Sequence, residues 1–147
     1  MKKFILVFSL LFLLLGASVA VASVNSKNVI LKDSAGTAMT AYTFSAAKTT
    51  ERVAVANNTG YMTLLIDVTS GTIDKITYEY SIDGTNWYPP YTTDGTTATS
   101  SDTVVTADFT ASRWIKFTPF LANYIRFTIT PSGSTVISAS LIYQTSQ

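Results

Sequence analysis

The chain is 147 residues long, with ten Lys and Arg against nine Asp and Glu and with neither histidine nor cysteine. Lack of imidazole removes the serine–histidine hydrolases and the usual zinc or copper sites, and lack of thiols removes disulfides and lipid-modified cysteine. A charge so close to balance provides no basic footprint for nucleic acid and no polybasic patch for a membrane surface.

The chain opens with Met1-Lys2-Lys3, an apolar run over residues 4–15, and the small-residue stretch Gly16-Ala17-Ser18-Val19-Ala20-Val21-Ala22. These are the three parts of a secretory signal peptide, and Ala20-Val21-Ala22 puts cleavage before Ser23. A membrane anchor is the competing reading. A spanning helix needs about 20 consecutive apolar residues to cross roughly 30 Å of hydrocarbon, whereas this run has twelve and contains Ser9. The expectation is therefore a secreted or cell-surface protein with no stable membrane anchor after cleavage. Residues 23–147 form one domain by length, enough to bury a core. Removing Lys2 and Lys3 leaves eight cations against nine anions, a net charge near −1.

Beyond the leader the hydropathy alternates with period two and shows no helical period, which predicts strands. In chain order the predicted strands cover residues 28–32, 39–44, 52–56, 62–68, 76–82, 87–91, 103–109, 113–118, 123–130 and 136–143. Turn signals separate them: Ser34-Ala35-Gly36, Asn57-Asn58-Thr59-Gly60, Ser70-Gly71, Asp83-Gly84-Thr85-Asn86 and Pro131-Ser132-Gly133. The polar stretch over residues 94–101 reads as a loop. Three strands have the clearest inner faces: Met62, Leu64, Ile66 and Val68; Ile76, Tyr78, Tyr80 and Ile82; and Ile125, Phe127 and Ile129. About ten short strands at this spacing predict an all-β, antiparallel two-sheet sandwich of jelly-roll type.

Two segments carry a family resemblance. Tyr80-Ser81-Ile82-Asp83-Gly84-Thr85-Asn86-Trp87 is a strand, an Asp-Gly turn and a second strand, and Ala122-Asn123-Tyr124-Ile125-Arg126-Phe127-Thr128-Ile129-Thr130 follows about forty residues later. Together they resemble landmarks of discoidin-like β-sandwich modules and of similar sandwiches in bacteriophage virion proteins. The resemblance covers residues 78–130. It implies a sandwich architecture and, by analogy with discoidin-like modules, sugar or lipid-headgroup binding through loops at one end. The family's N-terminal region and domain-closing cysteine pair have no counterpart here.

Trp87-Tyr88-Pro89-Pro90-Tyr91 is the candidate recognition surface. Flat rings of Trp87, Tyr88 and Tyr91 suit stacking on sugars, and the prolines suit a stiff edge strand. Burial of Trp87 in the core is the competing structural reading, and Trp114 carries the same ambiguity. Asp67, Asp74, Asp83, Asp94, Asp102 and Asp108 fall in no calcium-loop spacing and read as solvated turn carboxylates. Glu79 lies on an outward strand face with no assignable carboxylate partner for glycoside hydrolysis. Asn57-Asn58-Thr59 matches a glycosylation sequon and also reads as a plain turn. No cofactor or metal is expected, and no enzymatic activity.

Two functions fit. In the first, the protein is a secreted structural subunit that forms a homo-oligomer or polymer, as a filament, sheath or surface layer. Residues 23–32 would then be a donor or extension strand in which Asn28, Val29, Ile30 and Leu31 contact a neighbouring subunit's sheet edge. Pairing of this strand within its own domain is the alternative. In the second, the protein is a secreted carbohydrate-binding or adhesive module that takes polysaccharide on an aromatic surface.

Overall fold

The computed structural model describes residues 24–56, 58–90, 108–117 and 122–146. The predicted leader, the loop over residues 94–101, Tyr91 and Asn57 lie outside them. The described residues form nine strands and no helix: β1 (Val24–Ile30), β2 (Tyr42–Phe44), β3 (Lys48–Thr49), β4 (Val53–Ala54), β5 (Asn58–Ser70), β6 (Ile73–Ser81), β7 (Arg113–Phe117), β8 (Tyr124–Pro131) and β9 (Thr135–Ser146). They make two antiparallel sheets. The first has the order β1-β9-β5-β7, with β2 also paired to β9; the second has β8 flanked by β3 and β4 on one side and by β6 on the other. The all-β, two-sheet sandwich expected from the sequence is the fold observed.

Alternation sets which residues fill the space between the sheets, because side chains on a strand point to opposite faces in turn. In the first sheet one inward row runs Val29–Leu141–Leu64–Ile115 across all four main strands. In the second, Ile125, Phe127 and Ile129 of β8 are completely buried and lie opposite Tyr80, Tyr78 and Ile76 of β6. Leu31, Met39, Ile73, Phe109 and Ile137 complete a single apolar cluster contributed by both sheets. Two of the corners at which the chain passes from one sheet to the other are tight, Gly71-Thr72 between β5 and β6 and Ser132-Gly133-Ser134 between β8 and β9.

Between β1 and β2, which both pair with β9, the chain makes an excursion towards the second sheet. Leu31 donates to Ala139 and Ala139 donates to Met39, so residues 32–38 leave the first sheet as a short excursion. There Ser34 donates to Thr49, and Glu51 donates to Lys32, tying the excursion to the second sheet. Asp33 is the pin: it is buried, its Oδ2 accepts the Tyr42 hydroxyl at 2.6 Å, and its Oδ1 accepts the N–H groups of Thr37 and Ala35.

Several boundaries differ from the sequence expectation. Residues 58–60, predicted as a turn, belong to β5. Asn58 closes a tight turn onto the Val55 carbonyl through both its backbone and side-chain nitrogens, and a register shift between Asn58 and Met62 absorbs the extra residues. Ile82, predicted to face inward, is 68% exposed. The strand ends at Ser81, whose hydroxyl accepts the Gly84 N–H and swings Ile82 to the outside of the turn. Residues 87–90 form no strand; Tyr88 alone makes a bridge, to Tyr80. Of the predicted strand over residues 103–109, Phe109 is described and bridges Ile73.

Candidate functional site

The aromatic segment singled out in the sequence packs against the second sheet. Glu79 and Arg126 are cross-strand partners on the outer face of β6 and β8, joined at 2.7 Å. The Arg126 guanidinium lies 4.3 Å from the centre of the Trp87 ring, so one face of this half-buried indole is occupied by a cation–π contact. Tyr88 is 49% exposed, and its backbone exchanges two 3.0 Å hydrogen bonds with Tyr80. Trp87 and Tyr88 are therefore brought together at the edge of β6, Trp87 with one ring face on Arg126 and Tyr88 with its side chain half exposed. Glu79, with its carboxylate committed to Arg126, belongs to the same cluster.

The turn before Trp87 is held by Asp83. Its Oδ1 accepts from Thr85 N–H, Asn86 N–H and the Ser81 hydroxyl, and its Oδ2 accepts from the Asn86 side-chain amide. These donors, the Thr85 N–H foremost, hold its carboxyl well below the usual carboxylate range. Asp33 is also lowered, chiefly by the Tyr42 hydroxyl and then by the Thr37 N–H. Both folded-state values lie below the unfolded one, so the unfolded chain binds more protons as the medium is acidified. Their stabilisation is present above the ordinary value of 3.8 and is lost as pH falls from there through the folded values. Urea midpoints measured from pH 6 down to pH 2 are expected to fall in that window. Asp33→Asn and Asp83→Asn should each lower the midpoint at pH 6 and converge on the wild type in acid; parallel curves would exclude this linkage.

The N-terminal candidates occupy a sheet edge. β1 pairs with β9 of its own chain over all seven of its residues. Asn28 and Ile30 point outward and are exposed, Val29 is half-buried against the core, and Leu31 is fully buried. A cleft of about 310 Å³ opens beside this edge, with Val29, Val53 and Tyr143 inside and Lys32, Glu51 and Arg52 at its rim. Burial raises the pKa of Tyr143, whose hydroxyl donates to the Ala54 carbonyl at 3.0 Å and bridges the two sheets.

The outer face of the first sheet carries features that the sequence left ambiguous or unmarked. Trp114, opposite Leu65, stands on this face and is 67% exposed, and Tyr61, earlier on β5, is 68% exposed. A shallow groove of about 250 Å³ crosses it, with Ile30 and Leu65 in its floor and Asn28, Asp67, Ser138 and Ser140 among its polar lining. Among the described residues no group of three carboxylates could hold a metal ion.

The chain matches no protein-family model and no curated protein. Fold and surface chemistry alone therefore carry the functional argument.

Proposed function

We propose that the protein is an exported, non-enzymatic structural subunit that polymerises into an extracellular filament, sheath or surface layer by strand addition. One observation supports this most: β1 and β7 are opposite lateral edges of the same sheet, and among the described residues each pairs on one side only. Strands β1, β9, β5 and β7 alternate in direction, so β1 runs opposite to β7. A neighbour displaced sideways would bring its β1 against β7 with the antiparallel alternation preserved. Such a contact is head-to-tail and does not close, and sheet twist would turn each subunit relative to the last, giving an open helical array.

Both edges are cationic, through Lys27 on β1 and Arg113 and Lys116 on β7. Screening should relieve this repulsion, so assembly is expected to increase with salt. The test is sedimentation and electron microscopy of residues 23–147 at rising protein and salt concentration. Salt-promoted filaments or sheets are expected, shortened by a peptide of residues 24–30 that caps β7 and unaffected by its scrambled counterpart. A protein that stays monomeric at millimolar concentration in high salt would refute the proposal.

A further inference from the structure

The outer face of the first sheet is ordered in rows. The central row is Ile30–Ser140–Leu65–Trp114, each residue opposite the next on β1, β9, β5 and β7. On one side runs Asn28–Ile142–Thr63–Lys116, and on the other Ser138–Asp67, with Asp67 accepting a hydrogen bond from Ser112. The 250 Å³ groove occupies the β1–β9–β5 part of these rows, and Trp114 stands on the next strand, opposite the groove residue Leu65. A track of Ile30, Ser140 and Leu65 ending in an open indole thus has Asn28 and Thr63 on one side and Ser138 and Asp67 on the other, with Lys116 beside the indole.

We infer that this track binds a neutral polysaccharide, with Trp114 as the stacking platform and Asn28, Asp67, Ser138 and Ser140 contacting ring hydroxyls. The chemistry selects this ligand in three ways. First, a sugar ring is amphipathic: its C–H face packs on an aromatic ring while its hydroxyls, at the rim, need partners that donate and accept. Asn and Ser do both and Asp accepts. Second, Asp67 in the groove lining and Lys116 beside Trp114 offset one another, so no net charge along the track selects an ionic ligand. Third, the track is too small for a protein partner. Three inter-strand spacings by one two-residue step measure roughly 15 by 7 Å, or about 100 Å², against the roughly 800 Å² per partner of a specific protein interface.

The backbone beside the groove is held in place for this role. Ala41, two residues beyond Met39, has φ of 49°, a conformation costly for a residue with a Cβ, and its N–H donates to the Ser138 hydroxyl. Ser138 accepts there and keeps its own proton to donate outward. The inference does not rest on polymerisation, because a track on the sheet face is present in one subunit.

The test is native affinity electrophoresis through soluble xylan, glucomannan, laminarin and dextran, and pull-down on cellulose and chitin, with alginate as the polyanionic comparison. Retention by at least one neutral glycan is expected. Trp114→Ala should weaken it at least tenfold with an unchanged melting temperature, while Tyr88→Ala, on the opposite sheet, should retain it. Binding to none of the neutral glycans, binding to alginate alone, or equal retention of Trp114→Ala would overturn the inference. So would a Trp114→Ala effect seen only on self-association.

Discussion

Replacing Phe127 by alanine should remove about 3–5 kcal/mol of stability, the range for deleting a buried aromatic side chain. Phe127 is fully buried at the middle of β8, opposite Tyr78 on β6. On its other side Thr50, between β3 and β4, donates to the Phe127 carbonyl at 2.8 Å, and its hydroxyl accepts the Phe127 N–H at 3.0 Å. The backbone is thus held from both sides, so neighbouring strands cannot slide inward to fill the space, and the cavity remains. Phe127→Leu, which keeps most of the volume, should lose about 1.5 kcal/mol. Urea unfolding should show both losses as lower midpoints at constant slope. In a domain whose whole stability is about 5–15 kcal/mol, the alanine variant approaches the limit of folding. A loss below about 1 kcal/mol would mean that the two sheets close over the gap.

That site was plain in the sequence because a strand with one face in the core and the other towards solvent alternates apolar and polar residues. Ile125, Phe127 and Ile129 do so, as do Met62, Leu64 and Ile66, and all six are buried. Legibility declines where local chemistry competes with the period. Asn57-Asn58-Thr59-Gly60 has turn composition, yet β5 runs through residues 58–60 because β9 extends far enough to pair with it, Asn58 opposite Thr145. Ile82 continues the alternation of β6 in sequence, yet hydrogen bonding at Ser81 and Asp83 ends the strand one residue earlier. The two-residue β3 has no hydrophobic period to detect.

The surface was less legible still. Trp87 and Trp114 look alike in sequence, but Arg126, far along the chain from Trp87, covers one ring, and nothing described covers the other to the same extent. Rows such as Ile30–Ser140–Leu65–Trp114 are products of register between distant strands, which no local pattern encodes. Asp33 went unmarked for the same reason, although Asp33-Ser34-Ala35-Gly36 carries the local signal of a side-chain-capped turn. Its partner Tyr42 and the excursion towards the second sheet depend on tertiary placement.

The corner where the two sheets are joined gives the other large effect. Gly71→Ala should cost about 3–4 kcal/mol, by two mechanisms that a series of glycine substitutions can separate. Gly71 has φ of 84°, and a Cβ there would lie 2.5 Å from Thr135 Oγ1, 2.6 Å from the Ser134 carbonyl oxygen and 2.7 Å from Thr135 Cα. Two of those atoms are backbone and cannot rotate away. The third belongs to a buried hydroxyl that accepts the Thr72 N–H and lies within hydrogen-bonding distance of the Thr72 and Gly133 carbonyls, tying the β5–β6 corner to the β8–β9 corner. Gly36 has nearly the same φ, 86°, but its Cβ would meet only the Glu51 carboxylate, at 3.4 Å. Gly36→Ala should therefore show the conformational part alone, about 1 kcal/mol. At Gly133 a Cβ would meet nothing within 4 Å, so Gly133→Ala should change stability by less than about 0.5 kcal/mol. The expected order in urea midpoint is Gly133→Ala highest, Gly36→Ala next and Gly71→Ala well below both. Equal losses at Gly36 and Gly71 would show that backbone conformation alone matters and that the two corners are not in close contact. The predicted gap instead places the junction of the sheets among the least tolerant points of the fold.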